Sequence, residues 1–110
     1  MAYDEELADR IRALLDDRDG LTEKKMFGGL GFMIGGNMAI AASGQGGLLV
    51  RVDPEESDQL VSSTEATTME MRGREMKGWL RVASEHVGTK DQLAEWVERG
   101  TSYARSLPPK

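Results

Sequence analysis

The residues best placed to do chemistry are four cations set around a tryptophan: Arg72, Arg74, Lys77 and Arg81, interleaved with Trp79. On a strand, residues two apart share a face, so Trp79 and Arg81 are expected to point the same way. An aromatic ring among cations suits an anion or a single-stranded nucleic acid, where bases stack and Arg or Lys meets phosphate. The competing reading is a solvated hairpin with a half-buried Trp. The net charge of −5 repels polyanions at a distance. Nucleic-acid binding through this cluster is therefore expected to be weak and salt-sensitive.

The other chemical signals are thinner. The glycine-rich stretch Gly28 to Gly36 invites a phosphate-loop reading. It lacks the third glycine of a dinucleotide fingerprint, and no Gly-Lys-Ser/Thr triplet follows it. Turns and bulges explain it better. Asp16, Asp17 and Asp19 crowd a helix end without the spacing of a calcium loop. His86 is the single histidine and falls in a connection before the last helix. The chain has no cysteine, which removes disulfides, thiolate metal sites and thiol nucleophiles. No catalytic, cofactor-binding or metal-binding residue is assigned, and the chain reads as a non-enzyme. A catalyst built on carboxylates or a lysine in a cleft is the remaining enzymatic alternative.

The elements that position these residues follow from periodicity. Leu7, Ile11, Leu14 and Leu15 recur at helical spacing, with Asp4 as N-cap and Gly20 as stop. The first 23 residues hold eight acidic against three basic side chains, so the whole net charge lies there. A strand is expected from about Lys24 to Ile34, bent near Gly28-Gly29, followed by strands at Met38–Ala42 and Leu48–Val52. Asp53-Pro54-Glu55-Glu56 starts a short helix that ends near Ser62 or Ser63. Thr68 to Arg72 alternates as a strand, Gly73 to Gly78 reads as a turn region, and Trp79 to Ala83 is a fifth strand. Thr89 and Gln92 form a capping box for a final helix whose stripe runs Leu93, Trp96, Val97, Gly100, Ala104 and Leu107. Gly100 on that stripe predicts a close approach to the sheet.

The result is one α+β domain over residues 1–110, in two layers. Its order is helix, three strands, helix, two strands, helix, with an antiparallel sheet and all helices on one face. Seven methionines against six aromatic residues predict a core filled partly by flexible side chains. The uncovered face is expected to carry Leu49, Arg51, Trp79 and Arg81, together with a Met or Phe from the long first strand. Large apolar groups on an exposed face mark a partner surface. Self-association as a homodimer through Leu49, Arg51 and Trp79 is the expected use. No apolar run reaches the roughly 20 residues that span a bilayer, and the acidic start Asp4-Glu5-Glu6 is no leader, so a cytoplasmic location without membrane contact is expected.

The run Met26-Phe27-Gly28-Gly29, then Gly31-Phe32-Met33 and Leu48-Leu49-Val50-Arg51-Val52-Asp53, resembles the N-terminal domain of the TfoX/Sxy family. Met76, Trp79 and Leu93-Ala94-Glu95-Trp96 fit the same pattern. The resemblance implies a two-layer fold with the element order just read. Founding members of that family regulate natural competence as transcriptional coactivators and carry a second, C-terminal domain, which is expected to be lacking here. The resemblance supplies no catalytic residues and no cofactor. It implies a regulatory or protein-interaction module, with a nucleic-acid-associated accessory role for Arg72, Arg74, Lys77 and Arg81 as the alternative.

Overall fold

A computed structural model describes residues 4–15, 21–26, 28–44, 46–71 and 73–108, with Met26 and Met71 by backbone alone. Helix α1 spans Glu5–Leu15, and the Asp4 carboxylate accepts the Leu7 N–H at 3.1 Å as the spacing predicts. Its expected continuation to Arg18 and the stop at Gly20 lie outside the described residues. Six strands follow: β1 (Leu21–Met26), β2 (Gly29–Ile34), β3 (Asn37–Ala42), β4 (Leu48–Arg51), β5 (Thr67–Met71) and β6 (Arg74–Val82). Helix α2 (Ser57–Ser63) sits between β4 and β5, and α3 (Lys90–Ser106) closes the chain. All strand pairs are antiparallel, in the order β1-β2-β3-β4-β6-β5.

Two expectations about the strands need correction. The single strand expected over Lys24 to Ile34 is a hairpin: Met26 pairs with Gly29, so the chain reverses where only a bend was expected. Of the expected turn region Gly73 to Gly78 only Gly73 is turn; the rest is strand, because β6 begins at Arg74. What resembled a turn is an irregularity in the β5–β6 ladder. Thr68 faces Leu80 but Met69 faces Met76, so Lys77, Gly78 and Trp79 bulge out. Gly78 takes φ 87°, where a side chain would be strained and would press on the Val52 carbonyl and the Pro54 ring. Its N–H donates to the buried Ser57 hydroxyl at 2.9 Å, and its carbonyl accepts the Val52 N–H at 2.8 Å. The bulge thereby pins β6 to the end of β4 and the start of α2.

Register divides the sheet cleanly. One row runs Glu23–Phe32–Ile40–Val50–Leu80–Thr68 across all six strands. Its central members join Leu7, Ile11 and Leu15 of α1 and Leu93, Trp96 and Val97 of α3 in a single core cluster, with Leu60 and Val61 of α2 packed against it. All three helices therefore cover the same face. The capping box of α3 forms as expected: Gln92 N–H donates to Thr89 Oγ1 at 3.1 Å, and Thr89 N–H donates to Gln92 Oε1 at 3.2 Å. A bulge in β3, where Phe32 and Met33 face Ile40 and Met38, leaves Ala39 unpaired and turned to α3. A side-chain carbon at Gly100 would run into the Ala39 carbonyl oxygen, which is the close approach its position predicted.

Methionine takes less part in the core than expected: of the methionines whose side chains are described, only Met38 is buried, at 8% exposure. The core cluster contains Leu, Ile, Val, Ala, Phe and Trp and no Met among the described residues.

Candidate functional site: the uncovered sheet face

The second row of the sheet reads Lys24–Gly31–Ala41–Leu49–Arg81–Thr67, again from edge to edge. Next to it Met33 pairs with Met38, and Arg51 pairs with Trp79. Met38 and Ala41 are 8% and 5% exposed, yet both stand outside the core cluster. None of the described helices packs its core residues against them. Their register partners on the same face, Met33 and Leu49, are half-buried, as is Trp79. The expectation that Leu49, Arg51, Trp79 and Arg81 share one face agrees with this register. Phe32 lies on the covered face instead, fully buried.

Gly31 and Ala41 leave the middle of this face low. Leu49 and the methionines rise beside it, and a cation stands toward each side: Lys24 on β1 and Arg81 on β6. Across β1 to β4 and the part of β6 that pairs with β4, the open face carries Lys24, Arg51 and Arg81 and no carboxylate. The one acidic residue in those strands, Glu23, takes the opposite register. There it accepts two hydrogen bonds from the Arg12 guanidinium, at 2.8 and 2.9 Å. That contact, more than the partial burial that opposes it, holds the Glu23 carboxyl below its ordinary value and Arg12 further toward its charged form.

Arg51 has a distinctive setting. Its guanidinium carbon lies 5.3 Å from the centroid of the Trp79 ring and 5.7 Å from that of Tyr103 on α3. Strand β4 ends at Arg51, and it is at this end that Tyr103 of α3 comes near the side chain. Arg51 has no hydrogen-bond or ion-pair partner among the described residues. A guanidinium engaged by two rings keeps its N–H edge for a planar acceptor such as a carboxylate. Tyr103 also lines an open groove of about 530 Å³ between α2 and α3, where Asp53, Glu56, Glu95 and Glu98 outnumber Arg99. The helix side of this junction is thus acidic and the sheet side cationic.

Three of the four cations first picked out around Trp79 are spread along β6. Arg72 is outside the described residues. Arg74 and Lys77 are exposed in the outer part of β6, with Glu75 between them and Glu70 paired to Glu75. Arg81 lies near the other end, on the order of 20 Å from Arg74 along the strand. Of Arg74, Lys77 and Arg81, only Arg81 lies in the part of β6 that pairs with β4. His86 is half-buried in a single helical turn, Ser84–Val87, with Nε2 3.9 Å from the Glu65 carboxylate. The glycines from Gly28 to Gly36 serve a two-residue hairpin turn at Gly35-Gly36 and the strands around it, with no helix start after them. The aspartates Asp16, Asp17 and Asp19 lie outside the described residues. Among the described residues no three His, Asp or Glu side chains gather as a metal site, and no helix is long and apolar enough to cross a membrane.

The model of the TfoX N-terminal domain matches residues 13–104. The chain belongs to the TfoX N-terminal domain family. The match takes in all six strands, α2 and nearly all of α3, so the open face of this TfoX N-terminal domain is part of the family unit. No curated protein matches the chain.

Sequence reasoning missed three contributors to the site of this TfoX domain. Tyr103 joins Arg51 through a contact distant in sequence. Lys24 was placed in a strand whose reversal had not been seen. Met38 has the parity of Ile40, and only the bulge at Ala39 turns it to the open face, whereas Met33, alternating with Phe32, is the methionine expected there from the first strand.

Proposed function

We propose that this TfoX N-terminal domain works in the cytoplasm as a non-catalytic regulatory module that binds protein through the open face of its sheet. The observation that carries the reading is the apolar floor of Met33, Met38, Ala41 and Leu49, buried or half-buried outside the core on the face away from the described helices. Leaving a side chain the size of Leu or Met in water forgoes roughly 1.5–3 kcal/mol of burial, which a partner recovers. Methionine thioethers adapt their shape to what they meet, a property suited to a recognition surface. A coactivator role of the kind that founding members have in natural competence requires such a surface and no chemistry.

Affinity capture from the source cells with nuclease treatment, using wild type and Leu49→Asp side by side, tests the reading. Protein capture that survives nucleases and is lost in Leu49→Asp supports it. Capture that nucleases abolish would shift the case to the alternative, a nucleic-acid accessory using Arg74, Lys77 and Arg81. Capture indifferent to Leu49→Asp would remove the open face from the function.

A further inference from the structure

We propose that the open face receives an acidic amphipathic segment of another protein, its apolar side on the methionine-rich floor and its carboxylates on Lys24, Arg51 and Arg81. This rests on the reading above and names the chemistry of the partner. The chain carries a net charge of −5, yet the charged side chains that its strands present around this floor are all cations. A ligand complementary to the face is therefore apolar in the middle and negative at both ends.

Geometry sets the spacing. From Lys24 to Arg81 the row crosses β1, β2, β3, β4 and β6, four strand intervals or about 19 Å. A helix covers that distance in about 13 residues, and an extended strand in about six. Gly31 and Ala41 lower the centre of the row, so the bulkiest apolar group of the segment seats there. Arg51 stands one pleat along, already oriented by Trp79 and Tyr103, and takes a carboxylate edge-on.

Two other occupants fit less well. A second copy pairing the same face would bring Lys24, Arg51 and Arg81 against their own counterparts, where like charges cost affinity. A single-stranded nucleic acid needs open ring faces, and the Trp79 ring is engaged by Arg51.

The experiment uses the full chain with labelled methionine methyl groups, so that Met33 and Met38 report from the floor itself. Three probes are titrated: an amphipathic helical peptide with leucines on one side and glutamates about 13 residues apart, its glutamine counterpart, and a single-stranded oligonucleotide. Light scattering follows the association state. The acidic peptide is expected to shift the Met33 and Met38 signals and to bind about tenfold tighter than the glutamine peptide. Arg51→Glu and Lys24→Glu should each remove much of that preference at unchanged melting temperature, with a lysine peptide regaining affinity for the reversed face. Equal binding of the acidic and glutamine peptides overturns the inference and leaves the protein-binding reading intact. A dimer broken by Leu49→Asp overturns it in favour of a second copy. Methyl shifts from the oligonucleotide alone, or from no probe in a monomeric chain, overturn both.

Discussion

Two neighbouring rows of the same sheet, one residue apart on every strand, show how differently its faces are built. Glu23–Phe32–Ile40–Val50–Leu80–Thr68 lies under the helices, and its four central members are fully buried. Lys24–Gly31–Ala41–Leu49–Arg81–Thr67 lies on the open side, and its apolar members are either very small or half-exposed. The first row uses branched and aromatic side chains with few rotamers, which specify a single packing against α1, α2 and α3. The second puts small residues in the centre, methionines beside them and cations at the sides. Rigid groups define the fold on one face, and adaptable groups are kept for the other.

Substitutions can break this contrast at different points. Phe32→Ala and Trp96→Ala should each destabilise by about 3–5 kcal/mol in denaturant melts, since both remove large buried groups from the helix-covered core. A melting point near that of wild type for either would place it outside the core. Gly100→Val should cost a comparable several kcal/mol, because α3 would have to lift from the Ala39 backbone. Thr89→Ala removes the hydroxyl of the capping box and should cost about 1 kcal/mol. Met33→Ala, the immediate neighbour of Phe32 on the opposite face, should cost about 1 kcal/mol or less while altering partner binding. A loss as large as that of Phe32→Ala would show that the open face is a second core.

The smallest effect is a titration. The Glu23 carboxyl lies below its ordinary value of 4.5 because Arg12 donates to its charged form. The unfolded state therefore binds a proton before the folded state does. The pair contributes stability above pH 4.5 and loses it as pH falls through the depressed value. Both side chains are well exposed, at 42% and 35%, so the contribution is about 0.5 kcal/mol or less. Glu23→Gln should flatten that part of the stability curve, and an unchanged acid limb would deny the pair any role.

Local signals in the chain proved legible where the physics is local. The capping box Thr89/Gln92 and the Asp53-Pro54 helix start each involve residues a few positions apart. Gly100 could be read because a helix-breaking residue on an apolar stripe has few other uses. The reversal after Met26 was hidden because the Lys24-Lys25-Met26 run continues into Gly-rich strand without a polar turn pair. Gly78 misled because a left-handed glycine occurs in a bulge as readily as in a turn. The setting of Arg51 was out of reach, since Tyr103 arrives from a helix whose tilt and depth are set by Gly100 and Ala39. Leu49, Arg51 and Trp79 could still be grouped, because period-two alternation survives in the short paired strands.

The edges of the sheet have a consequence of their own. The outer strands are β1 and β5, and β1 reads Thr22-Glu23-Lys24-Lys25 through its middle while β5 reads Thr67-Thr68-Met69-Glu70. β1 with its charges of both signs, and β5 with Glu70, are poor templates for another chain, since each added copy would repeat the same charges in register. Fibril growth by edge addition is therefore disfavoured even though one side of the sheet is apolar. A sheet can keep an apolar floor uncovered when the directions in which it polymerises are disfavoured in this way.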